Sequence, residues 1–328
     1  MDTFIYLGLL LAGFAVLAKS ASTFVDSAVR IAEILSVPKM IIGIVLVGFA
    51  TTAPEFAVSV QSAYLGHPEI ALGNAVGSVI CDDGLAMALA AVTAPSFILI
   101  DGKTLRSAGS FLIFVCLVTY AMAWDGTFTR YDGMALVSLL AGYIYAVYRT
   151  EKKRRKGLNR EPTAVVDGSS PASANRPTTL KRQLLYFLLG LTGVIVSSRL
   201  VLWSSINLAT AFNVSEVIIG LTVIALGTSL PEISTCIAAA RKGEGEIAAG
   251  DIIGADILNM LWIVGVSSVV NPLHVSTKVI NFMFPWMLVI VGTMLLFMRI
   301  RHRMEKWKGL VLLSLYGIYI VMTARLFY

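Results

Sequence analysis

Residues 37–82 can be laid over residues 214–259 at a constant offset of 177, without a gap, and 15 of the 46 positions are identical. Self-similarity at a fixed spacing means that one structural unit is built twice, which narrows the possible folds more than any other feature of the chain. Chance agreement in an apolar sequence would favour Leu, Ile and Val. Here Gly43 falls on Gly220, Thr51 on Thr228, Pro54 on Pro231, Glu55 on Glu232, Gly66 on Gly243, Glu69 on Glu246, Gly73 on Gly250 and Gly77 on Gly254.

The surroundings of the repeat identify its solvent. Of 328 residues 57% are hydrophobic and only 14% charged, with a mean hydropathy of +0.79, whereas soluble domains carry about 25% charged residues. An all-α polytopic membrane protein is expected, with about ten transmembrane helices near 4–33, 38–64, 70–94, 107–124, 131–149, 181–212, 214–241, 246–270, 277–299 and 307–326. The opening "MDTFIYLGLLLAGF" has no basic stretch before its apolar run and is expected to be a retained helix. The Pro/Ser/Ala-rich stretch 161–177 divides the chain into a first five-helix repeat, 1–150, a linker, 151–180, and a second five-helix repeat, 181–328. Their duplicated motifs cover 37–83 and 214–260. Five is odd, so the second repeat enters the membrane in the opposite sense, giving two inverted-topology repeats. Threading the ten spans puts 21 of the 26 Lys and Arg residues on one side. That bias predicts a multi-pass protein of the plasma (inner) membrane, with extracytoplasmic termini and a cytoplasmic 150–180 loop. The basic run "RTEKKRRKGLNR" then serves topology near anionic headgroups, and no nucleic-acid partner is expected.

The repeated motif carries chemistry that lipid does not tolerate without compensation. Pro54 cannot donate to the carbonyl of Ala50, nor Pro231 to that of Gly227, so each proline frees backbone oxygens inside a span. Thr51, Thr52, Thr228 and Ser229 add hydroxyls, and Glu55 and Glu232 add charge. A carboxylate next to a proline, twice and at equivalent positions, points to a bound cation rather than to a mere kink. Two carboxylates, four hydroxyls and several carbonyls suit a hard cation such as Ca²⁺, or Na⁺ with a less charged set. Behind each motif lies a second one, "GNAVGSVICDD" against "GDIIGADILNM". Glycines four apart permit close helix approach. Asn74, Ser78 and Asp82 share one helix face, and Asp82 aligns with Asn259. Asp83 is expected to support a neighbouring ligand residue or to place a charge at the cavity mouth, and Asp251 and Asp256 to be peripheral or structural. Glu69 and Glu246 start helices, where a carboxylate favours the dipole.

"GFATTAPE" and "ALGTSLPE", each followed by a G-S/A-x-I-x-D/N helix, resemble the α-repeats of the sodium/calcium exchangers within the cation/Ca²⁺ exchanger superfamily. The ten-span layout and linker are similar to the prokaryotic members. The resemblance implies that Glu55 and Glu232 bind Ca²⁺ together with main-chain oxygens of Thr51 and Thr228. It implies Na⁺ sites around the same oxygens with Thr52, Ser229, Ser78 and carbonyls at Gly48 and Ala225, while Asp82 and Asn259 flank the centre. Ca²⁺ and Na⁺ would be the transported partners, competing for one cavity across which the first and sixth helices slide. No further cofactor and no obligate protein partner is implied. The sequence departs from the family pattern in having Thr-Thr-Ala where Gly-Thr-Ser is usual. Ala255 stands opposite Ser78, and the acid lies in the first repeat with the amide in the second. A Ca²⁺/H⁺ or K⁺-dependent antiporter on the same fold is the alternative reading.

Other classes find less support. A cation channel can use carboxylate rings but usually completes them by oligomerisation. An enzyme would need a nucleophile or metal-binding histidines beside the acids. His67, His274 and His302 fall in expected loops, the three cysteines lack metal spacing, and no phosphate-binding loop is present.

Overall fold

The computed structural model describes residues 2–158, 179–211, 225–277 and 279–327. The expected linker over 161–177 and the start of the second motif, 214–224, lie outside them. The first repeat opens with the long helix α1 (Asp2–Leu35). It continues through α2 (Lys39–Ile42), a π-helical stretch Gly43–Val47 and α3 (Gly48–Thr51) into α4 (Ala53–Tyr64). At Thr52 the chain leaves helical geometry, with φ −75° and ψ 2°, and the axis bends by 53°. Pro54 explains the bend, because its ring lacks the donor that would carry the helix through. The second repeat does the same. After α9 (Leu180–Ala211), the short α10 (Ala225–Thr228) meets α11 (Leu230–Arg241) at Ser229, where φ is −85° and ψ 7°.

Beyond the bends the two halves keep step at the sequence offset. α5 (Pro68–Cys81), a π turn Asp82–Ala86 and α6 (Met87–Thr93) correspond to α12 (Gly245–Leu258), a π turn Asn259–Ile263 and α13 (Val264–Val270). The joints before α5 and α12 each contain a glycine in the left-handed region, Gly66 at φ 83° and Gly243 at φ 76°. A side chain is disfavoured in that conformation, which accounts for this identity in the repeat. α7 (Gly102–Ala123) and α8 (Arg130–Leu158) complete the first half, and α14 (Phe284–Arg299) and α15 (Lys306–Phe327) the second.

The halves interlock rather than sit side by side. Two short antiparallel ribbons join them, β1 (Ile98–Leu99) with β4 (Arg303–Met304) and β2 (Thr127–Phe128) with β3 (Leu273–His274). The helix contacts are exchanged in the same manner: α8 packs on α13 and α15 on α6, while α4 packs on α13 and α11 on α6. Helices α1 and α9 pack along each other outside this core. They turn residues such as Leu11, Phe14, Leu188 and Val196 outward, a surface suited to lipid.

Seven helices among the described residues are long and apolar enough to cross a membrane, or eight with the bent pair Gly43–Thr51 and Ala53–Tyr64. That bears out a polytopic helical membrane protein, the count of ten being finer than length and apolarity resolve. The span expected at 131–149 does form a helix, but only sixteen uncharged residues separate Asp132 from Arg149. The span expected at 214–241 overlaps residues outside the description. The spaced glycines call for a correction. Gly43 and Gly254 make the close approach, since a Cβ on Gly43 would lie 2.7 Å from the Ile247 carbonyl oxygen and one on Gly254 would strike the Ile44 backbone. At Gly73 and Gly77 a Cβ would meet no atom within 4 Å.

Candidate cation site

The two bends place Glu55 and Glu232 in the first turns of α4 and α11, each just after its proline. A carboxylate there faces the positive end of a helix dipole, which favours it. Both side chains are buried, and none of their four carboxylate oxygens accepts a hydrogen bond. They lie close enough to repel each other, and Asp82 and Asp251 join the same electrostatic cluster. Ser229 lies against Glu55 and Asp82, its own hydroxyl without a hydrogen bond. Each glutamate is thus approached by the opposite repeat.

Six carboxylates are buried at 1% exposure or less: Glu55, Asp82, Asp83, Glu232, Asp251 and Asp256. The two ion pairs formed among the described residues, Lys39–Glu244 and Lys242–Asp26, involve none of them. Burying an ionised carboxylate without a partner costs several kcal/mol, so acids gathered this way require cations or protons.

The expected residues fall at the two bends and on the helices beside them. Thr51 and Thr52 are buried at the first bend, Thr228 and Ser229 at the second. Ser78 is buried on α5, and Ala225 begins α10. Asp82 and Asn259 each start a π turn, a local widening common at functional sites. Both polar atoms of the buried Asn259 amide are without a hydrogen bond. The Gly48 carbonyl is already engaged: it accepts from Thr52 N (3.0 Å), Thr52 Oγ1 (2.9 Å) and Thr51 Oγ1 (3.2 Å). Having two lone pairs, it has to release some of these donors before it can hold an ion.

Sequence reasoning left Asp251 at the periphery, yet it sits in the cluster. It accepts from Thr51 Oγ1 at 3.1 Å and from Thr235 Oγ1 at 2.8 Å. Its counterpart Asn74 receives Thr228 Oγ1 at 3.4 Å. The repeat alignment itself pairs Asn74 with Asp251 and was the available signal. Asp83 and Asp256 form a second acid pair, within hydrogen-bonding reach of each other on the side of Cys116.

A cavity of about 360 Å³ lies between α9 and the bends, lined by Pro54, Thr228, Pro231, Ser198, Arg199 and Trp203 among others. The three cysteines are buried and unpaired, in keeping with packing roles.

Comparison with known proteins adds an independent line. The family model described as sodium/calcium exchanger protein matches residues 5–149 and 182–325. The inner membrane protein YrbG of Escherichia coli is 32% identical over 80% of this chain and 79% of its own length. The sodium/calcium exchanger MaX1 of Methanosarcina acetivorans is 28% identical over 95% of this chain and 97% of its own. A solved structure of the sodium-calcium exchanger NCX_Mj, soaked with zero Na⁺ and Ca²⁺, superposes with a TM-score of 0.82 at 26% identity. It covers 98% of this chain and 99% of that one.

Proposed function

The chain belongs to the sodium/calcium exchanger family, and from that premise we propose that it exchanges Ca²⁺ for Na⁺ by alternating access at one site shared by its two repeats. The observation that carries this reading is the set of buried carboxylates at the paired bends, with no basic residue to neutralise them among the described residues. Glu55 and Glu232 hold Ca²⁺ with the main-chain oxygens of Thr51 and Thr228. Na⁺ ions use the same oxygens together with Thr52, Ser229, Ser78 and the carbonyls of Gly48 and Ala225, flanked by Asp82 and Asn259. Sharing oxygens couples the two ions, because occupancy by one excludes the other. The names of MaX1 and NCX_Mj, which carry sodium and calcium, support this choice of ions.

Ten spans in two inverted five-helix repeats accommodate the observed architecture best. The matched elements and exchanged contacts are what a two-fold axis within the membrane plane produces. Each β ribbon joins loops that the threading of charges assigns to one side, which supports a cytoplasmic linker and extracytoplasmic termini in an inner membrane. Movement of α1 and α9 across the core opens the site alternately, and the cavity beside α9 is one approach to it.

A Ca²⁺/H⁺ antiporter is the second reading, favoured by one observation. Asp83 and Asp256 are buried near each other and no donor reaches either carboxyl group, an arrangement that a shared proton or a bound cation would relieve. Sealed vesicles containing the purified protein separate the two readings when Na⁺, K⁺ and H⁺ gradients are imposed independently. Ca²⁺ uptake is expected to require internal Na⁺. Uptake driven by a pH gradient alone, with no Na⁺ present, would overturn Na⁺ coupling.

A further inference from the structure

The bends are tied across the repeat boundary by a reciprocal set of hydrogen bonds. From the first repeat, Thr51 Oγ1 reaches Asp251 Oδ1 on α12 at 3.1 Å, and Thr235 on α11 holds the other oxygen of Asp251 at 2.8 Å. From the second repeat, Thr228 Oγ1 reaches Asn74 Oδ1 on α5 at 3.4 Å. The Asn74 amide in turn donates to Ser59 Oγ at 3.0 Å and to the Glu55 carbonyl at 3.3 Å, both on α4. Thr51, Asp251, Thr235 and Ser59 are all buried, so water does not compete for these bonds.

Three acceptors surround the single Thr51 hydroxyl proton: the Val47 carbonyl at 3.1 Å, the Gly48 carbonyl at 3.2 Å and Asp251. A carboxylate is the strongest of them, which directs the proton across the repeat boundary. Thr51 and Thr228 sit one residue before the breaks at Thr52 and Ser229. Fixing their side chains therefore fixes the carbonyls next to Glu55 and Glu232.

We propose that Asn74 and Asp251 are paired positioning residues, each holding from the opposite repeat the threonine whose main-chain oxygen completes the cation site. The proposal rests on the site reading above. It extends that reading by assigning residues that bind no ion yet set the ligand geometry and lock each bend to the other half of the protein. The pair is asymmetric, an amide in one repeat and an acid in the other, so only the second hook brings a formal charge.

Four variants test this, with two measurements each: the thermal unfolding midpoint of the purified protein in detergent with a chelator, and Ca²⁺ flux in vesicles. Asp251→Ala removes the hook and the charge, whereas Asp251→Asn keeps an acceptor for Thr51 and removes only the charge. Thr51→Val removes the hook from its other end, and the double variant Thr51→Val/Asp251→Ala closes a cycle. The expected result is that Thr51→Val and Asp251→Ala each lower maximal Ca²⁺ flux about tenfold or more. The double variant is then no worse than either single one, and Asp251→Asn, which keeps the acceptor for Thr51, recovers flux towards the wild-type level. Additive effects of Thr51→Val and Asp251→Ala on both measurements would overturn the proposal, as would an Asp251→Asn protein as impaired as Asp251→Ala. Should the wild type carry no Ca²⁺, the function reading fails, while the unfolding midpoints of the cycle still decide whether the two side chains are coupled.

Discussion

Replacing Glu232 by Gln is expected to stabilise the cation-free protein while removing its response to Ca²⁺. Glu232 is buried, accepts no hydrogen bond, and lies among Glu55, Asp82 and Asp251. Two like charges about 4 Å apart repel by about 4 kcal/mol at an effective dielectric constant near 20, and by less at the wider spacings of a cluster. Glutamine has nearly the same shape and lacks the charge, so relief of part of that repulsion stabilises the empty protein by roughly 1–3 kcal/mol. Ca²⁺ acts in the opposite direction. At one hundred times its Kd a ligand stabilises the wild type by about 2.7 kcal/mol, and a site deprived of one of its two central charges loses that gain. Tryptophan fluorescence during thermal unfolding in detergent reads both effects. In chelator, Glu232→Gln unfolds a few degrees above wild type, and Ca²⁺ raises the wild-type midpoint while leaving that of the variant in place, so the gap closes or reverses as Ca²⁺ rises. A variant that keeps the full wild-type Ca²⁺ shift, or that loses stability in chelator, would refute the reasoning, because Glu232 would then be a structural group and not a ligand.

Two further substitutions probe the scaffold and the ion selectivity. Gly43→Ala would place a Cβ 2.7 Å from the Ile247 carbonyl oxygen and 2.9 Å from the Asp251 amide nitrogen, both immobile backbone. A destabilisation of about 1–3 kcal/mol is expected, read as a lower unfolding midpoint, and an unchanged midpoint would contradict the observed helix approach. Ala255→Ser restores the hydroxyl that Ser78 provides in the first repeat. It is expected to raise Na⁺ affinity or cooperativity in Na⁺-dependent Ca²⁺ flux, and unchanged Na⁺ dependence would remove position 255 from the Na⁺ site.

Much of this arrangement was legible in the sequence, for reasons that are local. Pro54 and Pro231 announce the two bends because a missing N–H is a property of the residue itself. The constant offset of 177 anticipates paired elements of equal length, such as Ala53–Tyr64 with Leu230–Arg241 and Pro68–Cys81 with Gly245–Leu258. Glu69 and Glu246 do occupy first turns, as a helix dipole favours. Non-local partners were not legible. Nothing in the neighbourhood of Asp251 indicates that Thr51, 200 positions away, donates to it. Nor does any local pattern show that Gly43 rather than Gly73 makes the tight helix contact. The β ribbons are two residues per strand, too short for any periodicity to mark them.

The most direct measurement is the location of Ca²⁺ itself, by anomalous diffraction from crystals of the protein soaked in Ca²⁺ and in excess Na⁺. With Ca²⁺, a peak is expected between Glu55 and Glu232, about 2.3–2.6 Å from carboxylate oxygens of both, and excess Na⁺ is expected to abolish it. A Ca²⁺ peak confined to the Asp83–Asp256 pair, or one between the glutamates that persists in excess Na⁺, would contradict competition of the two ions for a shared site.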